Sequence, residues 1–437
     1  MKATVADLRP RGRIFYGWYI IGLAMVSGFV GAGVSQLFMG IMLKPMTDDL
    51  GWSRTATSGA ITTGTVVAGL LSPAFGRLAD RYGPRLLMPA GALVVVLAYV
   101  GLAYTSALWQ FYLAYVVGRA IASVCLGGVV PMTAAANWFR RMRGRALGLV
   151  AMSLPLGGSA LTLVGQYLIS TYGWRTAFLT FAVACLALAV VPSALIMRRR
   201  PEDMGLLPDG DTGDPAPTEA SAHRAKPKAP VDEEVNWTLG EAVRTPTLWL
   251  LIFGLAVGIM ANGAVGFHQV AYFTDQGIAV GLAAVSLSLY GFSGAVANGV
   301  WGFLTERISE RVCAVVAMIL AAGAISFLLF VDSAPMALVF SVLFGLAARG
   351  ESSLVMIIVA QYYGRASYGA ISGFMTPFQM VGLGLGPLVA SLSYDFTGSY
   401  TLVFTLFIGS YLVSAVALFL ARKPKLPARA ALPSTAG

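Results

Sequence analysis

Charge is what this sequence has least of. Asp, Glu, Lys and Arg make up 11% of its 437 residues, where soluble domains carry about 25%. A chain with 57% hydrophobic residues and a mean hydropathy of +0.74 has no polar shell to offer water, so its apolar surplus must face lipid. Cysteine is also scarce. Cys125, Cys185 and Cys313 lie in apolar stretches without pairing or metal-ligand spacing and read as inert thiols. No His/Cys/carboxylate cluster at metal spacing appears, and no G-x-x-x-x-G-K-[ST] phosphate loop. No helix-embedded nucleophile has an evident base partner. The sequence therefore points away from an enzyme, an ATP-driven machine and any cofactor. A cleavable signal peptide is not evident, because the first apolar stretch is too long for one.

Long apolar runs are what the sequence has instead. A spanning helix needs about 20 residues, and twelve stretches qualify: 14–42, 54–75, 86–105, 109–136, 146–169, 176–197, 246–273, 280–301, 312–331, 335–361, 369–393 and 399–421. A lipid-facing barrel would alternate in polarity, and these runs do not. The 50 glycines suit close approach of helix backbones in lipid. The expected fold is an all-α membrane protein, with twelve transmembrane helices in two pseudo-symmetric six-helix bundles.

Basic residues set the orientation. With a cytoplasmic N-terminus, only Lys44, Arg54 and Arg175 fall on the opposite face, and Arg119 and Arg349 fall inside helices, out of 30 Lys and Arg. That bias accounts for the net charge of +10 without nucleic acid as a partner. The partners it implies are the lipid bilayer and a small-molecule substrate. The expected organisation is a cytoplasmic tail (1–13), a first bundle (14–197), a cytoplasmic linker with a largely disordered centre (198–245), a second bundle (246–421) and a cytoplasmic tail (422–437). The linker centre, from Pro208 to Pro230, is too polar to fold on its own.

The halves repeat. Gly76-Arg77-Leu78-Ala79-Asp80-Arg81, with Arg85, matches Gly302-Phe303-Leu304-Thr305-Glu306-Arg307, with Arg311, and Arg81 and Arg307 lie 226 positions apart. Gly173 and Gly398 lie 225 apart. Duplicated halves are a recurrent transporter architecture. The run from Gly76 through Asp80, Arg81 and Gly83 to Arg85 resembles the loop signature of the major facilitator superfamily. Its glycines permit a tight turn, and Asp80 can sit near a helix N-terminus of the opposite half. Arg81 and Arg85 can pair across the seam between halves. Gly302, Glu306, Arg307 and Arg311 repeat the set, so these are the candidate gating residues. The plainer reading is a basic loop that only fixes topology.

A second resemblance is narrower. Asn137-Trp138-Phe139-Arg140-Arg141-Met142-Arg143-Gly144-Arg145-Ala146-Leu147-Gly148, then Pro155-Leu156-Gly157-Gly158 and Tyr172-Gly173-Trp174-Arg175, is similar to helix 5 and its flanks in the monocarboxylate-porter group. Bacterial oxalate/formate-type antiporters share it, and Tyr16-Gly17-Trp18 and the run from His268 to Gly277 agree. The resemblance implies a small organic anion, moved with a proton or by exchange, across a bacterial inner membrane. The family usually carries an arginine on helix 8, where this chain has Asn298, and oxalate-type members use a basic residue on helix 11, where it has Gln379. Either the site has shifted or the substrate is less acidic.

Among twenty carboxylates only Glu351 falls mid-helix, with Arg119 on helix 4 and Arg349 on helix 10. Each such charge costs about 2.5–3.5 kcal/mol at a helix centre, so the three should face a wet cavity or one another. Arg349 and Glu351 are two apart and do not share a helix face. The candidate substrate site is therefore Arg119 and Arg349 on a carboxylate, with Glu351 balancing an arginine or carrying a coupled proton, and Asn298 and Gln379 at the family's anion positions. His268 could relay protons. Against these stand a structural ion-pair set and a packing histidine. Trp18, Trp109, Trp138 and Trp174 read as an interfacial belt. The competing functions are export of drug-like compounds, since Pro155-Leu156-Gly157-Gly158 partly resembles an exporter element, and a membrane sensor.

Overall fold

Twelve helices long and apolar enough to cross a membrane account for most of the computed structural model, which describes residues 14–210 and 236–425. They are α1 (Tyr16–Met42), α2 (Gly59–Tyr82), α3 (Pro84–Ala103), α4 (Leu108–Trp138), α5 (Arg143–Tyr172), α6 (Trp174–Ile196), α7 (Pro246–Asp275), α8 (Gly281–Leu304), α9 (Glu310–Leu328), α10 (Ala334–Tyr363), α11 (Tyr368–Thr397) and α12 (Thr401–Leu420). Local chemistry sets several boundaries. Pro84 and Pro246 occupy the first helical turn, where the missing N–H costs nothing. Gly83 and Gly173 turn the chain at φ +81° and +84°, a region closed to most side chains.

The helices form two six-helix bundles. They meet where α2 packs along α11 and α5 along α8. Small residues hold these crossings. Gly76 lies against Gly369, Gly373 against Ser72, Gly144 against Gly302, and Gly148 against the backbone of Asn298. All four approaches lie at the end that carries the linker. Further along, a Cβ at Gly299 would stand 3.5 Å from Met152 Sδ and one at Gly291 3.9 Å from Ser159 Oγ, while Gly59 and Gly64 meet only their own half. The apolar core repeats the pattern. One buried cluster runs through both halves, and a second gathers residues such as Phe38, Tyr99, Phe111 and Phe178 from the first half alone. The tightest approaches between the halves lie at the linker end.

Three sequence expectations change here. Gly76 and Gly302 are helical, two turns or less from their helix ends, so they serve close helix approach while Gly83 makes the turn. Trp138 and Trp174 stand at helix ends as expected but are buried inside the protein, where Trp138 packs on Phe15 and Tyr16 and its indole donates to the Arg198 carbonyl at 3.3 Å. The start of the linker is ordered to Gly210. Asp209, at φ 62°, accepts hydrogen bonds from the backbone N–H of Arg140, Arg141 and Met142 at 3.0, 2.9 and 3.1 Å. At the far end Asn236 Oδ1 accepts from the N–H of Arg365 and Ala366 at 3.1 and 3.0 Å. Each linker end thus caps the loop between the fourth and fifth helices of one half. The segment 211–235, most of the expected disordered centre, lies outside the described residues.

Candidate functional site

Both intramembrane arginines stand where a spanning helix breaks. In α4, a regular segment Leu108–Ile121 gives way to a widened turn at Ala122–Leu126, and regular helix resumes at Val129–Trp138. Arg119 lies in the last turn before the break. In α10, the segment Ala334–Ala348 ends at Arg349, and a second segment runs Glu351–Tyr363. The repeat offset of 226 carries position 123 onto 349, so the two breaks are equivalent. Broken helices of this kind mark transporter binding sites, because their ends leave backbone groups free. A cation at a segment's C-terminal end also meets favourable dipole charge.

Glycines let the arginines cross to neighbouring helices. The stem of Arg119 lies on Gly64 of α2, where a Cβ would fall 3.0 Å from its Cγ, and the stem of Arg349 lies on Gly294 of α8, where the Cβ distance would be 2.5 Å. Arg119 Nη1 donates to Ser123 Oγ at 2.9 Å. The Arg349 guanidinium sits over the Tyr290 ring, 5.0 Å from its centroid, and the Tyr290 hydroxyl donates to Asn262 Oδ1 on α7 at 2.6 Å. Trp301 supports the α10 break, packing on Gly350 and donating its indole N–H to the Leu346 carbonyl at 2.8 Å. Neither arginine has a carboxylate partner among the described residues, and both are half-buried.

Glu351 does not balance them. It is 1% exposed, lies against Gly258 of α7, and neither oxygen has a hydrogen-bond partner. Asn298 donates to the Gly294 carbonyl of its own helix at 2.9 Å, at the α5–α8 crossing. Gln379 is buried on α11 with its amide nitrogen unpartnered.

The seam at the linker end is built from the repeated motif. Asp80 accepts hydrogen bonds from the N–H of Gly369 and Ala370 at 2.9 and 2.7 Å, at the start of α11. Glu306 does the same for α5, taking the Arg145 N–H at 3.2 Å and its Nε at 2.5 Å. Each half thus caps a helix of the other with a carboxylate, where the dipole favours it. Arg143, 2% exposed, donates to the Ala360 carbonyl at 2.6 Å, and Arg365 donates to the Asn137 carbonyl at 3.0 Å and pairs with Glu202.

A sequence model of the Major Facilitator Superfamily matches residues 23–287 and again 269–435. The chain belongs to that superfamily. Human monocarboxylate transporter 2 is 26% identical to it over 397 residues, 88% of this chain and 81% of that protein. The oxalate:formate antiporter of Oxalobacter formigenes is 23% identical over 296 residues, 67% of this chain and 64% of that protein. The agnestins efflux protein AgnL12 of Paecilomyces divaricatus is 24% identical over 385 residues, 86% and 79% of the two chains. The crystal structure of the human organic anion transporter MFSD10 superposes with a TM-score of 0.68 at 15% identity, covering 94% of this chain and 100% of that one. At that identity the likeness shows the fold. The superfamily is one of transporters, not of enzymes.

Within this major facilitator chain, Arg81 and Arg85 do not make the expected cross-seam pairs among the described residues. Arg81 lies over the Tyr82 ring, Arg307 over Phe303 and Arg311 over Phe419. The cross-seam role falls to Arg143, Arg145 and Arg365, whose helix starts and loops face the partner half. Gly76 is the tightest point. A Cβ there would fall 2.7 Å from the Gly369 carbonyl carbon, and backbone cannot step aside. Overpacking costs about 1–3 kcal/mol, so Gly76→Ala should cut uptake about 5- to 100-fold by holding the linker end ajar. Wild-type uptake rates in proteoliposomes would contradict this.

His268 is hydrogen-bonded through both ring nitrogens. Its Nδ1 pairs with the Tyr400 hydroxyl at 3.1 Å, and its Nε2 with the Pro387 carbonyl at 3.1 Å and Ser391 Oγ at 3.3 Å. All of these partners lie in its own half. His268→Ala should lower stability by about 1–3 kcal/mol and leave the half-saturation concentration unchanged, read from thermal unfolding beside an uptake curve. Tyr290, Asn262 and Ser123 carry no charge, so the cost of burying charge does not single them out in the sequence. Polar residues inside apolar runs were the available signal.

Proposed function

We propose that this protein moves a small organic anion, a monocarboxylate or related carboxylate, across the bacterial inner membrane by alternating access, driven by a proton gradient or by exchange. The observation that carries the reading is the pair of counter-ion-free arginines at equivalent breaks of α4 and α10. A guanidinium binds a carboxylate through two parallel hydrogen bonds, and two of them at a midplane site would take an anion from both halves. Relatives named for monocarboxylates and for oxalate and formate support the same cargo. The basic bias supports a cytoplasmic linker end, and a state with that end closed would face outward. Asp80, Glu306 and the cross-seam arginines are then the contacts that break when the protein rocks inward.

Uptake into proteoliposomes, screened over small carboxylates with and without a pH gradient, tests this. Accumulation of at least one carboxylate is expected; transport of neutral or cationic solutes alone would remove the anion. That second outcome would favour export of larger compounds, the reading that the efflux relative supports.

A further inference from the structure

Glu351 is a buried carboxyl that neither the seam nor the arginine pair uses. Most buried polar groups find a partner, and an ionised carboxylate without one keeps its full desolvation cost. Here both oxygens are unpartnered at 1% exposure. The pocket fits the group closely, since a Cβ at Gly258 would fall 2.6 Å from Glu351 Cδ. α7 presents no side chain where the carboxyl lies. The titratable groups that reach it are Tyr290 on α8 and Tyr411 on α12; α7 adds Gly258 and the neutral Asn262. Arg349 is turned away, onto the Tyr290 ring. Yet Glu351 is the first residue of the lower α10 segment, and a helix N-terminus favours negative charge.

We propose that Glu351 is the proton-binding group that couples transport to the proton gradient, with Gly258 as the residue that makes room for it. This rests on the anion reading for the cargo. With the proton on, the charge of Arg349 is uncompensated and draws a carboxylate. With the proton off, the buried negative charge of Glu351 repels the carboxylate of the cargo, and the cargo is released. Proton and anion then favour each other's binding by one common factor, about 5- to 150-fold for coupled sites of this kind. That coupling is what symport needs.

Two measurements test it. Infrared difference spectra of the purified, cargo-free protein, taken between acid and alkaline pH, read the C=O stretch of protonated carboxyl groups. A wild-type band that is missing from Glu351→Gln is expected; the same band in the variant overturns the proposal whatever the cargo is. In proteoliposomes with labelled lactate and oxalate as probes, an inward proton gradient should drive accumulation in the wild type and none in Glu351→Gln. The variant should still exchange internal for external label. Gradient-driven accumulation by the variant also overturns the proposal. If the band belongs to Glu351 but neither protein moves either label, the anion reading fails and the proton site stands.

Discussion

Replacing Arg349 by Gln should weaken carboxylate binding about 10- to 100-fold while leaving the fold intact. Hydrogen bonds to charged groups contribute about 1.5–3 kcal/mol, and each 1.4 kcal/mol is about tenfold in affinity. The fold should survive because the guanidinium makes no ion pair among the described residues. Its stem crosses α8 over Gly294, its charge lies on the Tyr290 ring, and Gln keeps a shorter part of the same stem. Arg349→Lys should recover only part of the affinity, since an ammonium keeps the charge but loses the planar fork. Titration of lactate and oxalate into wild type and variants checks this. An unchanged half-saturation concentration in Arg349→Gln removes Arg349 from the site. Arg119→Gln should act in the same direction, because Arg119 occupies the equivalent break in α4.

Asp80→Ala should open the linker end. Its carboxylate takes two backbone N–H groups at the start of α11, and nothing else caps Gly369 and Ala370 among the described residues. Losing two charge-assisted bonds costs about 3 kcal/mol at the low end, a shift of about 100-fold in the balance between closed and open states. Spin labels at Arg85 and Arg307, both exposed and on opposite halves, should report a longer distance in the variant. An unchanged distance distribution would show that Asp80 does not hold the seam. Glu306→Ala should act in the same direction, since it frees Arg145 and the start of α5.

The twelve helices were legible because lipid demands an unbroken apolar run for each crossing, and the repeat was legible because the acid and arginines of its motif recur at a fixed offset. What lay hidden was non-local. The motif glycines looked like turn residues, yet Gly76 and Gly302 sit inside helices against Gly369 and Gly144, partners that no local reading can supply. The cross-seam cations turned out to be Arg143, Arg145 and Arg365, because the arginines of the motif lie on neighbouring rings instead. Asp209 was lost inside a polar stretch, since composition averages over the single carboxylate that caps three N–H groups. The intramembrane charges were found from cost alone, but not the breaks in α4 and α10, which Gly127, Gly128 and Gly350 mark only once the helices are seen.

Thermal unfolding of the purified protein, with lactate set against its neutral amide, lactamide, and with oxalate against oxamide, tests the anion site most directly. A ligand that binds only the folded protein raises its unfolding temperature in proportion to occupancy. At least one carboxylate should stabilise the protein, its amide should not, and the stabilisation should vanish in Arg349→Gln. Equal stabilisation by acid and amide, surviving that substitution, would mean that the two unpaired guanidinium groups are not there for cargo.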